Sequence, residues 1–171
     1  MSTGETPPVV GLLTFELDGQ RCALMASEVL EVQRVVAMAR LPRCPEIVEG
    51  VIDLRGKLVP VLDVRSRLGL PPSPLALSDH LVVARVPRTA GGASPHPSGP
   101  RVVAIRVDRA LDLLPVPREK IEDPRPVAGG VQTAGVAKLA DGLVLIHDLR
   151  TFLSLDEEQQ LDQAFAERLL E

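Results

Sequence analysis

The sequence predicts an all-β fold of small curled sheets with short helices, and three observations carry that expectation. Sixteen prolines and thirteen glycines among 171 residues imply many turns and few long helices. Short apolar runs recur in pairs with tight turn signals between them, the pattern of successive hairpins. The segment beginning at Gly50 also matches the segment beginning at Gly135 without a gap, so one strand–turn–strand unit occurs twice.

Residues 1–9 read as a flexible N-terminus. Leu12 to Leu17 alternates and ends at Asp18-Gly19, a hairpin turn signal, before a second apolar run from Cys22 to Met25. Ala26 to Val32 reads as a brief helical or irregular stretch. Pro42 and Pro45 force extended or turn geometry ahead of a turn at Glu46-Ile47-Val48. Val51 to Leu54 and Leu58 to Leu62 flank a turn at Arg55-Gly56. Pro60 inside the second run calls for an edge position or a bulge, because proline donates no ladder hydrogen bond.

Leu81 to Val86 and Val102 to Val107 read as strands joined by a flexible hairpin loop, residues 87–100, rich in Gly, Ser and Pro. Its length costs little, since loop-closure entropy grows only logarithmically. Val136 to Leu139, the turn Asp141-Gly142 and Leu143 to His147 form a further hairpin. Ser154 and Glu157 fit a capping box that opens a C-terminal helix within residues 154–171, with Leu161, Phe165 and Leu169 on one face. That face is expected to dock on the body of the protein; reception of a partner is the alternative.

The repeat is the most informative internal feature. Shifted by 85 positions, Gly50, Val51, Leu54, Leu58, Val59, Asp63, Arg65 and Leu68 meet Gly135, Val136, Leu139, Leu143, Val144, Asp148, Arg150 and Leu153. A weaker echo pairs the segment from Arg21 with that from Arg101. Duplication predicts that each half curls into its own small sheet, because closure removes exposed edges. Two such units side by side would leave a groove suited to ligands or partners.

Composition excludes several functions. Nineteen Lys and Arg against 23 Asp and Glu give a net charge of −4, so no basic field favours nucleic acid. Tyr and Trp are absent and only Phe15, Phe152 and Phe165 remain, which removes base-stacking platforms and aromatic cages. No apolar run approaches the roughly 20 residues of a membrane span, and Met1 to Pro8 lacks the features of a secretion signal. Cys22 and Cys44 form neither a disulfide framework nor a metal knuckle. The simplest expectation is a soluble, reduced, cytoplasmic protein.

No catalytic constellation emerges. His80, His96 and His147 are scattered in sequence and form no zinc-ligand cluster. No nucleophile elbow, phosphate-cradling loop or dinucleotide fingerprint is present. Asp63 and Asp148 invite an acid–base reading, but each precedes a short helix, where a carboxylate caps free N–H groups. Capping is the better account. No enzyme, cofactor or metal is expected.

Leu41 through Gly69 reads LPRCPEIVEGVIDLRGKLVPVLDVRSRLG. This closely resembles the signature region of the CheW family, the bacterial chemotaxis coupling proteins. The resemblance continues through Val102 to Asp108 and resumes at Gly135-Val136 and Leu143 to Leu153, covering roughly residues 10 to 160. Asp53 stands where the family usually has Asn, the 87–100 loop is longer than usual, and Arg106, Arg109 and His147 occupy places that are often apolar or small.

The resemblance implies a single domain over residues 10–155, with two interleaved five-stranded SH3-like barrel subdomains. It implies a non-catalytic adaptor that bridges the cytoplasmic helical tip of chemoreceptors and the regulatory domain of a CheA-type histidine kinase. Further CheW-like domains in rings are possible additional partners. By match to the receptor-facing segment, Val29, Glu31 and Arg55 are the expected receptor interface, and Glu31 is expected to pair with Arg55. Gly50 and Gly56 are expected to support it by adopting turn conformations. Val36, Met38 and Leu41 mark the expected kinase edge. Arg106 and Arg109 put the second contact in question and leave open an accessory protein that binds receptors but not the kinase. A small-ligand binder or enzyme using the inter-subdomain groove is the alternative from another class.

Overall fold

A two-residue chain reversal that follows the twist of a sheet needs positive φ at both central positions. Asp18 and Gly19 (φ 51° and 75°) and Arg55 and Gly56 (φ 52° and 85°) provide it. The second turn is tied by the Gly56 N–H, which donates to Asp53 Oδ1 at 2.7 Å. Asp and Asn offer the same side-chain acceptor here, so the departure at Asp53 leaves the turn intact.

A computed structural model describes residues 8–87, 100–123 and 133–169. Its strands are β1 (Val9–Leu17), β2 (Gln20–Met25), β3 (Val29–Arg34), β4 (Val48–Leu54), β5 (Lys57–Leu62), β6 (His80–Val86), β7 (Arg101–Val107), β8 (Arg109–Pro117), β9 (Ile121–Glu122), β10 (Thr133–Leu139) and β11 (Gly142–His147). Helices α1 (Val64–Arg67) and α2 (Leu155–Leu169) follow β5 and β11. Most of the N-terminal stretch 1–9 and of the loop 87–100, including His96, lies outside the described residues.

One sheet runs β8-β1-β2-β11-β10-β9 and the other β3-β6-β7-β5-β4. Apart from the two-residue β9 they share one plan. In each, a hairpin (β1–β2 or β6–β7) lies parallel to the second strand of another hairpin (β10–β11 or β4–β5). The expectation that each repeat would curl on its own is corrected. The β1–β2 hairpin of the first repeat is completed by β8, β10 and β11 of the second, and the β6–β7 hairpin by β3, β4 and β5 of the first. Both sheets are therefore mixed, giving the two SH3-like subdomains of an interleaved fold.

The strands bury both faces. Leu13, Phe15 and Leu17 of β1 and Val82, Ala84 and Val86 of β6 point into one central cluster with Phe152 and Leu161. Leu12, on the opposite face of β1, packs in a second cluster within its sheet, and Leu81 and Val83 pack in a third. Apolar residues of both sheets thus pack together in the central cluster, and Phe15 and Phe152 are each only 1% exposed.

Of the stretch expected to be helical or irregular, Ala26–Glu28 is a short helical turn and Val29–Arg34 is a strand. Arg109–Pro117 is a further strand, which contains Pro115 and ends at Pro117. Pro60 sits in a central strand rather than at an edge. The other half of the expectation is met by a bulge between Val48 and Gly50 on the facing strand, next to the Val51–Pro60 pair. Val51 exchanges both backbone hydrogen bonds with Ala39 instead, and pairing of β5 with β7 begins only at Val61, so no ladder bond requires a Pro60 N–H.

The helix caps follow the sequence. Asp63 and Asp148 each accept from the backbone N–H two residues on, at 3.1 and 3.0 Å. Ser154 and Glu157 exchange reciprocal bonds at the start of α2. Leu161 is buried and Phe165 packs against the core; the side chain of Leu169 lies outside the described residues. Among the described residues, no helix is long and apolar enough to cross a membrane.

Candidate partner-binding surface

The edge strand β3 and the β4–β5 turn meet at one end of the second sheet. Arg55 Nη2 donates to Glu31 Oε2 at 2.8 Å, which joins the two residues expected to pair. The arginine side chain is 81% exposed and the glutamate 23%. Along β3 the side chains alternate, so Val29 packs against the central core while Leu30 and Val32 are exposed. The apolar groups offered to a partner are thus the neighbours of Val29, and the two-residue period of a strand was the signal that pointed to them.

Gly56 adopts the turn conformation expected of it, but Gly50 does not. It lies within β4, where an added Cβ would sit 2.8 Å from Met38 Cβ and 3.0 Å from the Ala39 carbonyl oxygen. Its repeat partner Gly135 receives β9 in the same way, 2.9 Å from the Glu122 carbonyl oxygen. Both glycines admit a crossing backbone.

The expected kinase-facing residues separate. Val36 is exposed, Met38 is partly buried above Gly50, and Leu41 is buried against Val51 and Ala164. Arg106 is corrected from a surface position to a buried one. Its guanidinium donates to Glu49 at 2.6–3.1 Å, to Asp79 at 2.9 Å and to the Ser73 carbonyl at 2.9 Å. Hydrogen bonding to Glu49, then to Asp79, keeps it charged against the opposing effect of burial. Arg109 is exposed and pairs with Glu16 on β1 at 3.0 Å.

Two residues escaped the sequence reading. Leu58 and Leu143 open the second strand of equivalent hairpins and are 40% and 67% exposed. The 85-position register had already matched them, although nothing in the sequence marked either as outward.

Elsewhere the reactive groups are quenched. Burial pushes the Cys22 thiol up to about 11 and also raises that of Cys44. His147 is 2% exposed, finds no hydrogen-bond partner for either ring nitrogen among the described residues, and is pushed down to about 4 by burial. No group of three or more potential metal ligands occurs among the described residues.

The CheW-like domain family matches residues 11–157. Similar proteins include a probable chemotaxis protein CheW of Rhizobium etli, 24% identical over 151 residues, covering 86% of this chain and 90% of that protein. Chemotaxis protein CheW of Helicobacter pylori is 28% identical over 151 residues, with 86% and 84% covered. The scaffolding protein TtCheW of Thermoanaerobacter tengcongensis superposes with a TM-score of 0.72 at 24% identity, over 89% of this chain and 96% of that one. A family match spanning most of the chain establishes that this protein belongs to the CheW-like domain family.

Proposed function

We propose that the chain couples the cytoplasmic helical tip of a chemoreceptor to the regulatory domain of a CheA-type histidine kinase, without catalysing a reaction. The observation that carries this reading is the Glu31–Arg55 pair. It fixes the β4–β5 turn against β3 beside exposed Leu30 and Val32, so a receptor helix would meet an apolar stripe of defined orientation. Leu58 and Leu143 suit contact with a like fold, because equivalent hairpins on the two sheets present equivalent leucines. Head-to-tail use of both would close into rings. The chain would then reside in the cytoplasm, held at receptor arrays by protein contacts alone.

Burial of Arg106 weakens the ground for a receptor-only accessory protein, since its charge does not face the surface. Binding of the full chain to a receptor cytoplasmic fragment and to a kinase regulatory domain tests the proposal. Glu31→Ala and Arg55→Ala should each weaken receptor binding, and the double variant should lose less than their sum. Leu58→Glu and Leu143→Glu should weaken kinase capture. Additive losses would remove the pairing role, and kinase binding indifferent to both leucines would remove the like-fold contact.

A further inference from the structure

A groove of about 560 Å³ opens beside Arg55, between the β4–β5 hairpin, the outer ends of β6 and β7, and α2. Leu54, Leu58, Val102 and Phe165 give it apolar walls, while Arg55, Lys57 and Arg85 contribute cationic side chains. Its acidic lining residue, Asp162, is held in an ion pair by Arg101. Lys57 and Arg85 form no ion pair among the described residues. A cationic rim on a chain of net charge −4 runs against the sign of the whole molecule.

The duplication shows that the fold does not require this rim. At the equivalent hairpin of the other sheet, Arg55 and Lys57 are replaced by Ala140 and Gly142, whereas Leu58 is retained as Leu143. The leucine belongs to both halves; the charge belongs to one. Apolar walls under a cationic rim, in which Arg55 is held by Glu31 and Lys57 and Arg85 form no ion pair among the described residues, favour a polypeptide that presents an apolar side chain flanked by carboxylates, since charge complementarity adds specificity and rate to apolar burial.

We infer that the groove walled by Leu54, Val102 and Phe165 and rimmed by Arg55, Lys57 and Arg85 docks an acidic amphipathic helix of a protein partner. Identifying that helix with the receptor tip rests on the proposed function; the chemistry of the groove does not.

The test uses the full chain and two ligands. The first is a short labelled helical peptide with a leucine stripe flanked by glutamates, compared with a twin carrying lysines in their place. The second is a receptor cytoplasmic fragment. The acidic peptide should bind in a salt-sensitive manner and its twin should not. Lys57→Glu with Arg85→Glu should weaken acidic-peptide binding by about tenfold or more at unchanged Tm, and Phe165→Ala should weaken both peptide and fragment binding. Failure of the acidic peptide to bind, or equal binding by the charge-reversed variant, overturns the groove assignment. If the peptide behaves as expected but the fragment does not bind, the groove stands and the receptor reading falls. If the fragment binds and responds to Arg55→Ala but not to Lys57→Glu with Arg85→Glu, the receptor reading stands and the receptor helix is not the occupant.

Discussion

Arg106 and Arg109 lie on either side of a strand junction and serve different ends. The guanidinium of Arg106 is enclosed by Glu49, Asp79 and a carbonyl, so Arg106→Ala deprives the buried Asp79 and the partly buried Glu49 of their shared cation and should cost about 3–5 kcal/mol. Arg109 pairs with Glu16 in water, and its alanine variant should cost less than about 1 kcal/mol. Urea denaturation of the two variants checks the contrast. His147 supplies a pH dependence of known sign. Its folded pKa of about 4 lies below the ordinary 6.5, so the unfolded chain takes up the proton first. The stability associated with neutral His147 is complete above about pH 6.5, falls as pH drops toward 4, and changes little below that; the span is on the order of 3 kcal/mol. His147→Leu should flatten the stability–pH curve across that window.

Among the elements, α2 depends on the reciprocal bonds of Ser154 and Glu157. Ser154→Ala should lower stability by about 1 kcal/mol, seen as a small fall in Tm. Strand β4 depends on the absence of a side chain at Gly50, because the 38–39 backbone crosses it. Gly50→Ala forces Met38 and Ala39 outward and should lower Tm more than Ser154→Ala does. The hairpins at Asp18-Gly19 and Arg55-Gly56 were legible because positive φ selects a narrow set of residues. β3 and β8 were less so. In β3 the apolar Leu30 and Val32 face outward while Glu31 and Gln33 are half-buried, so no apolar inner face beyond Val29 announces the strand. Pro115 and Pro117 mask β8, which pairs with β1 along one side.

For the whole molecule, the exchange of strands between repeats predicts one cooperative transition. Neither sheet can form until both halves of the chain are present, so fragments divided after Leu70 should each be unfolded by circular dichroism, and mixing them should restore β structure. Two independent transitions in the intact chain would contradict this. Arg65 adds a link between the sheets. It binds Asp108 through both carboxylate oxygens at 2.7 Å and lies 3.7 Å from Asp18 in the β1–β2 turn.

Periodicity, turn chemistry and capping are local, so the sequence alone determined the hairpins, the capped C-terminal helix, the duplication and the resemblance to a coupling family. It also singled out Glu31 and Arg55, by match to the family's receptor-facing segment, while their hydrogen bond belongs to the tertiary structure. The resemblance implied interleaving; only the tertiary structure decided which strands each half exchanges, that Arg106 turns inward while Leu58 and Leu143 turn outward, and that a groove opens beside α2. Those outcomes depend on which distant segments share a sheet, and residues of the same type read alike in a sequence whether their neighbours in space are water, carboxylates or leucines.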